Sequence, residues 1–198
     1  MRTLYLARHG EAAEAALTPA GREQARLLAK RVASLPLDGV FHSPVRRAAE
    51  TAALVSAELP DVPVTVSPLV GDYLPYAPTA GELAPEFAPV ALTHVAAYTT
   101  LQHETGPVLA ERALAELTAP VPRADLLITH SQIVTWFVRA ALGAPAARWV
   151  GINAANAALT VIQYRQGWPP NLVAFNDQSH LPDSLRWTGF PAERSELW

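Results

Sequence analysis

Leu4-Tyr5-Leu6-Ala7-Arg8-His9-Gly10-Glu11 is a short apolar run that ends abruptly in an arginine, a histidine and a glycine. An apolar run before a glycine break reads as a buried strand. Charged groups set directly after it sit at its carboxyl end, where open α/β sheets place their ligands. Gly10 lets the backbone turn sharply there. An imidazole beside a guanidinium in such a cleft has a definite chemistry: the ring nitrogen attacks phosphorus while the guanidinium holds two phosphate oxygens in its fork. Taken alone, three residues recur by chance, and a strand-end histidine bonded to backbone is the plainer reading.

Two further segments repeat the format. Leu37 to His42 reads as a strand. Ser43-Pro44 then opens a helix, with Ser43 as N-cap and Pro44 at the first helical position, which carries Arg47 and runs to about Leu59. Asp125 to Thr129 is a buried strand ending in His130, and Ser131 caps a helix from Gln132 to Leu142, closed by Gly143 and Pro145. Between them, Thr18 caps a helix beginning at Pro19 and lasting to about Ser34, with Ala25, Leu28, Ala29 and Val32 inward. Val62 to Val66 is a third strand, and Ala157 to Tyr164 and Asn171 to Asn176 are two more, joined by a turn at Gly167-Trp168-Pro169-Pro170. The alternation predicts an α/β three-layer sandwich: a mostly parallel mixed central sheet with helices on both faces.

From Pro68 to Pro107 prolines interrupt the periodicity, which predicts a variable cover at about 70–107: a long loop, then a helix around Phe87 to Thr100. Val108 to Leu117 reads as a separate helix. Leu181 to Trp198 reads as an irregular tail packed down by Trp187, Phe190 and Trp198. The whole is expected to be one domain over residues 1–198.

Half of the 198 residues are apolar and 17% are charged, with a net charge of −3 and no basic block. That composition argues against nucleic acid or a membrane surface as partner. The absence of cysteine excludes disulfides, zinc-thiolate sites and thiol catalysis. No apolar run approaches the ~20 residues of a membrane span. The start of the chain runs directly into a strand, so no signal peptide and a cytoplasmic location are expected.

In a parallel sheet the carboxyl ends of neighbouring strands share one edge, so Arg8, His9, Arg47 and His130 are expected to converge. Two arginines and two histidines around one point make a pocket for a dianion, helped by helix N-termini at Pro44 and Ser131.

Leu6-Ala7-Arg8-His9-Gly10-Glu11 followed by Leu17-Thr18-Pro19-Ala20-Gly21-Arg22-Glu23-Gln24-Ala25 resembles the opening of the histidine phosphatase (phosphoglycerate-mutase-like) superfamily. His42-Ser43-Pro44-Val45-Arg46-Arg47-Ala48-Ala49-Glu50-Thr51-Ala52 is similar to its second motif, and Ile128-Thr129-His130-Ser131 to its third. Within the superfamily the pattern is nearest to the mitochondrial phosphoprotein phosphatase type, through Phe41-His42-Ser43, Glu50-Thr51, Leu59-Pro60 with Val64 beyond, and His130 leading to Trp149 and Asn156. That type's membrane anchor is not expected here.

The resemblance implies a metal-independent phosphomonoesterase needing no cofactor. His9 would be the nucleophile that becomes phosphohistidine, Arg8 and Arg47 the phosphate clamp, and His130 a donor to the phosphoryl group. Successive helical side chains point about 100° apart, so only one of Arg46 and Arg47 can aim at the phosphate. The family pattern puts that arginine before an alanine, which selects Arg47 and leaves Arg46 as a surface charge. The usual glutamate of the proton donor falls at Gly71 or, with a one-residue shift, at Asp72. Asp72 is favoured, with Glu82 and Glu11 next. His42 is expected to be hydrogen-bonded behind the site, His94 and His103 to be solvated, His180 to be structural, Asn153 and Asn156 to hold a loop near the sheet edge, and Trp136 and Phe137 to be core.

Two other functions compete: a non-catalytic phospho-ligand binder, and a phosphoglycerate mutase. The mutase is disfavoured because no arginine or lysine lies between Tyr73 and Thr105 to close over a bisphosphate. The apolar cover, with Tyr73, Tyr76 and Tyr98, suits an aromatic or bulky phosphorylated small molecule or a phosphopeptide as substrate.

Overall fold

Arg2–Arg8 forms strand β1 in the computed structural model, which describes residues 1–190. A small hairpin, β2 (Ala12–Ala13) and β3 (Ala16–Leu17), follows. Then come α1 (Pro19–Val32), β4 (Gly39–His42), α2 (Arg46–Ser56) and β5 (Val64–Val66). The cover contains α3 (Ala88–Ala96) and α4 (Thr100–Leu117). β6 (Arg123–Thr129), α5 (Ser131–Ala141), β7 (Leu159–Tyr164) and β8 (Asn171–Asp177) complete the order.

The main sheet has six strands in the order β5-β4-β6-β1-β7-β8. β5, β4, β6 and β1 run parallel, while β7 is antiparallel to β1 and β8 to β7. Alternate residues of a strand face opposite sides, and the core divides accordingly. Leu4, Leu6 and Leu127 pack with Ala110 and Ala113 of α4 and with Ile133 and Phe137 of α5. Ala7, Leu126 and Ile128 pack on the other side with Leu28 and Val32 of α1 and Ala52 and Val55 of α2. The result is the expected three-layer α/β sandwich with a mixed, mostly parallel sheet. Trp136 and Phe137 are buried in the core, and Trp136 Nε1 donates to the Ala110 carbonyl at 3.3 Å.

The register sets the site. Arg8 pairs with Thr129 across β1 and β6, and His42 with Ile128 across β4 and β6, so three strands end level. At the amino edge of the sheet the buried carboxylate of Asp125 meets both Arg2 at 2.9 Å and Arg123 at 2.7 Å. At the carboxyl edge Arg8 and Arg47 gather with Asp72 around an open cavity.

Several boundaries differ from expectation. α1 starts as read, with the Thr18 hydroxyl accepting from Gly21 N–H at 3.0 Å. α2 does not start at Pro44: the chain stays extended through Val45, the cap residue, and the helix begins at Arg46. Proline holds the residue before it out of the helical region, and the Ser43 hydroxyl accepts from Val45 N–H at 3.2 Å and meets His130 instead. α5 begins one residue early, with Ser131 inside the helix and His130 in the cap position. The break expected at Pro107 is absent, and α4 runs through it. Its capping box of Thr99 and Gln102 anchors the start, and the buried Ala110, Ala113 and Leu117 carry it past one missing N–H. The helix expected over Phe87 to Thr100 ends at Ala96. The described part of the tail, 181–190, is irregular apart from a 3-10 turn at Asp183–Leu185, and Trp187 is 42% exposed, with its backbone N–H donating to Gln178 Oε1 at 2.8 Å. Trp198 lies outside the described residues. Among these, no helix is long and apolar enough to cross a membrane.

Candidate active site

β1 delivers Arg8 and His9 to the carboxyl edge, and the backbone N–H of His9 continues the sheet pairing by donating to Thr129 O at 2.9 Å. The chain then turns at Gly10 so closely over α1 that a Cβ there would sit 2.3 Å from the Gly21 carbonyl oxygen. The turn is pinned from α2, where Thr51 Oγ1 accepts from Gly10 N–H at 3.1 Å, and from the loop before β7, where the Asn156 amide donates to His9 O at 2.9 Å.

These restraints orient the His9 ring. Nδ1 lies 2.7 Å from the Gly10 carbonyl oxygen, which accepts only, so Nδ1 carries the proton. The lone pair is therefore on Nε2, which faces the cleft and accepts from Arg47 Nε at 3.0 Å. The other histidine is close: the His9 and His130 ring centroids are 5.1 Å apart, with the rings inclined at 62°. His130 Nε2 lies 2.8 Å from Ser43 Oγ, and Arg47 Nη2 lies 3.3 Å from His130 Nδ1.

Arg47 also donates through Nη2 to Asp72, whose other carboxylate oxygen accepts from the Gln132 amide. His130 Nδ1 is 3.6 Å from the same carboxylate. Arg8 is anchored from the other side, its Nη1 donating to the carbonyls of Ala154 at 2.8 Å and Gly189 at 2.9 Å.

Burial and the two guanidinium charges act together on the imidazoles. Burial, then Arg8 and His130, push His9 down to about 2, against the Gly10 carbonyl. Burial, then Arg47 and Arg8, push His130 down to about 3. Both rings are therefore neutral at neutral pH. Burial and repulsion from Arg47 lower Arg8 to about 10, which leaves it a cation. The site thus combines a neutral nitrogen nucleophile, two fixed cations and a carboxylate, which is the inventory for phosphoryl transfer.

All five residues singled out in the sequence, Arg8, His9, Arg47, Asp72 and His130, line one cavity of about 430 Å³. The competing carboxylates are elsewhere. Glu82 binds Thr79 and Tyr76, while Glu11 accepts from Thr18 Oγ1 at 2.8 Å behind the turn. Arg46 points outward onto Glu50 at 2.8 Å, as helical geometry requires. His42 Nδ1 is 2.9 Å from Ser43 O, behind the site. His103 and His180 bond to the carbonyls of Val95 and Ala157. Asn153 lines an adjoining cavity.

Two expectations about the cover need correction. His103 is half-buried against the Val95 carbonyl rather than solvated, whereas His94 is exposed as expected and borders the cavity lined by the five residues. Of the three tyrosines only Tyr98 does so: the Tyr73 hydroxyl is turned inward to Leu69 O at 2.7 Å, and that of Tyr76 goes to Glu82. Sequence reasoning missed Gln132 on Asp72, Ser43 on His130, and the carbonyl of Gly189 on Arg8. The first two adjoin strand ends already marked by histidines, which was the available signal. Gly189 lies 181 residues from Arg8 and carried none.

A family model, the histidine phosphatase superfamily (branch 1), matches residues 4–178. The chain belongs to the histidine phosphatase superfamily. It is 31% identical over 193 residues to the serine/threonine-protein phosphatase Pgam5, mitochondrial, of Caenorhabditis elegans. That match covers 91% of this chain and 64% of the relative, so the chain spans just under two thirds of that protein's length. Among solved structures, Bacillus stearothermophilus YhfR superposes with a TM-score of 0.70 at 23% identity, covering 91% of this chain and 99% of that one. The alpha-ribazole phosphatase from Shigella flexneri follows at 0.67 and 21%, covering 88% and 96%. These superpositions show that both proteins share this chain's α/β fold.

Proposed function

We propose that the protein is a metal-independent phosphomonoesterase that works through a phosphohistidine on His9. The observation that carries the proposal is the orientation of the His9 ring, with Nδ1–H held by the Gly10 carbonyl and the Nε2 lone pair aimed at the point where Arg47 and His130 meet.

A phosphate dianion entering the site draws Arg47 away from His9 and Asp72, because its oxygens match the guanidinium fork and carry more charge than either partner. That exchange uncovers the nucleophile. His9 Nε2 then bonds to phosphorus as the ester P–O bond breaks, and the leaving oxygen takes a proton from Asp72 in its acid form. In the second half, water attacks phosphorus and gives a proton to the Asp72 carboxylate. The N–P bond breaks, its electron pair returns to Nε2, and inorganic phosphate leaves. Asp72 is within reach of this exchange because Arg47 and His130 both adjoin it. The Ser43 hydroxyl can donate to or accept from His130 Nε2, so once Arg47 has moved His130 can present Nδ1–H to a phosphoryl oxygen. Arg8 and Arg47 supply the positive charge that a metal ion gives other phosphatases.

The test is hydrolysis of p-nitrophenyl phosphate from pH 4 to 8 in EDTA, wild type against His9→Ala, with acid-labile phosphate sought on the quenched protein. Activity that survives the chelator and is lost in the variant supports the proposal. Activity that requires an added metal ion, or that persists in His9→Ala, overturns it. Phosphate binding without turnover would favour the binder.

A further inference from the structure

A second cavity of about 330 Å³ adjoins the phosphate site and shares Arg8, His94, Ser131 and Gln132 with it. A phosphomonoester seated on His9 has one substituent beyond its phosphate, and this is the neighbouring space open to it. Phe87, Val90 and Ala91 of the α3 region form one wall, Trp149 and Ile152 another, and Phe190 of the tail a third. Arg8 is the one permanently charged side chain among the described lining residues, and its Nη1 is already committed to two carbonyls.

We infer that this cavity is the leaving-group site and selects small phosphomonoesters whose leaving group is uncharged and carries an aromatic ring, with Phe190, Trp149 and His94 determining that preference. The inference rests on the phosphomonoesterase reading and names its substrate class. Three features support it. Beyond Arg8, whose Nη1 is held by two carbonyls and whose charge faces the phosphate, the lining offers neither a cation for a second phosphate or carboxylate nor an acidic group for a polyamine, so a charged leaving group would be desolvated without a partner of its own. The volume lies at the small end of ligand pockets, ~300–1,000 Å³, which suits one or two rings rather than a peptide chain. The aromatic wall is also held in place before any ligand arrives. Trp149 is 4% exposed and its Nε1 donates to the Tyr76 carbonyl at 2.9 Å, and the His94 ring stands 6.5 Å from it, tilted by 50°.

Phe190 reaches the cavity through a strap that is itself tied to the catalytic arginine. Gly189 has φ +88°, and a Cβ there would lie 2.4 Å from Arg8 Nη1 and 2.3 Å from Asn156 Oδ1. Thr188 O accepts from Asn156 N–H at 3.1 Å, and the Gln24 amide donates to Leu185 O at 2.9 Å and Thr188 Oγ1 at 2.8 Å. One short segment therefore both orients Arg8 and supplies a wall of the leaving-group space.

The experiment compares benzyl phosphate with ethyl phosphate, two alkyl esters of similar leaving-group chemistry that differ by the ring, using the full chain. Burial of the ring predicts a kcat/KM ratio in favour of benzyl phosphate on the order of tenfold to a hundredfold. Phe190→Ala is expected to lower that ratio about tenfold, mainly through KM. 3-Phosphoglycerate, whose leaving group is charged, is expected to be poorer than ethyl phosphate. Equal efficiency on the two alkyl esters overturns the inference. So does a Phe190→Ala variant that slows both alike, or a phosphoserine peptide turned over faster than benzyl phosphate. Calorimetry with benzylphosphonate and ethylphosphonate, which cannot be hydrolysed, separates this inference from the reaction it rests on. Tighter binding of the benzyl compound supports the cavity even if the wild type hydrolyses no ester. Equal binding sinks it even if hydrolysis is found.

Discussion

Arg47 Nε donates to His9 Nε2 at 3.0 Å, so in this structure the arginine covers the lone pair of the proposed nucleophile. The same guanidinium holds Asp72. A single side chain thus occupies both groups on which the proposed chemistry depends, and in that proposal substrate phosphate displaces it. The fork is what makes that exchange favourable, since a planar guanidinium meets two phosphate oxygens at once.

Replacing Arg47 by lysine keeps the charge and removes the fork. Arg47→Lys is expected to lower kcat/KM for p-nitrophenyl phosphate by roughly 10²–10³, close to the loss of one preorganised donor to a transition-state oxygen. Steady-state kinetics decide it; a change below threefold would mean that point charge alone suffices.

Asp72→Asn removes the proton carrier but retains a polar partner for Gln132. Turnover of alkyl phosphates is expected to fall by roughly 10²–10⁴. p-Nitrophenyl phosphate, whose leaving group needs no proton, should still phosphorylate His9 and then stall. Rapid quench would show a burst of nitrophenol and trapped phosphoenzyme. An unchanged steady-state rate would pass the role to another group.

The two neutral imidazoles couple stability to pH. Both fall from 6.5, to about 2 for His9 and about 3 for His130, chiefly through burial. Below pH 6.5 the unfolded chain takes up protons at these rings while the folded chain does not. Unfolding free energy therefore falls as pH drops from about 6.5 toward 3, by at most about 1.4 kcal/mol per pH unit for each ring. Urea unfolding at pH 7, 5 and 4 should show this slope, and His130→Asn should reduce it. An equal slope in the variant would place the acid sensitivity elsewhere. The same depression keeps His9 nucleophilic throughout pH 4–8, so an acid limb of kcat/KM in that range would not belong to it.

Gly189→Ala adds a Cβ against Arg8 and Asn156 at a left-handed φ. The strap must shift, which removes a carbonyl partner from Arg8. The expected result is a KM for p-nitrophenyl phosphate raised about tenfold, with a stability loss of about 1–2 kcal/mol. Titration of inorganic phosphate as a competitive inhibitor checks the cause, because its affinity should weaken in parallel.

The sequence by itself determined the architecture and the centre of the site. Apolar runs ending in Arg8-His9 and His130 have the period and length of buried parallel strands, and three ordered motifs carried Arg47 with them. Asp72 was legible only with a one-residue shift, because it sits on a loop, where spacing is loose. Tertiary structure decided what pattern cannot encode. Ser43 serves His130 and the Val45 N–H rather than a helix cap, because the extended chain at Pro44 and Val45 delays α2 to Arg46. Pro107 lies inside α4 because packing against the core outweighs one lost hydrogen bond. Arg8 is completed by Gly189, and the wall of the second cavity by Phe190, through contacts between the two ends of the described chain. Such long-range contacts leave no local periodicity, and only folding brings them together.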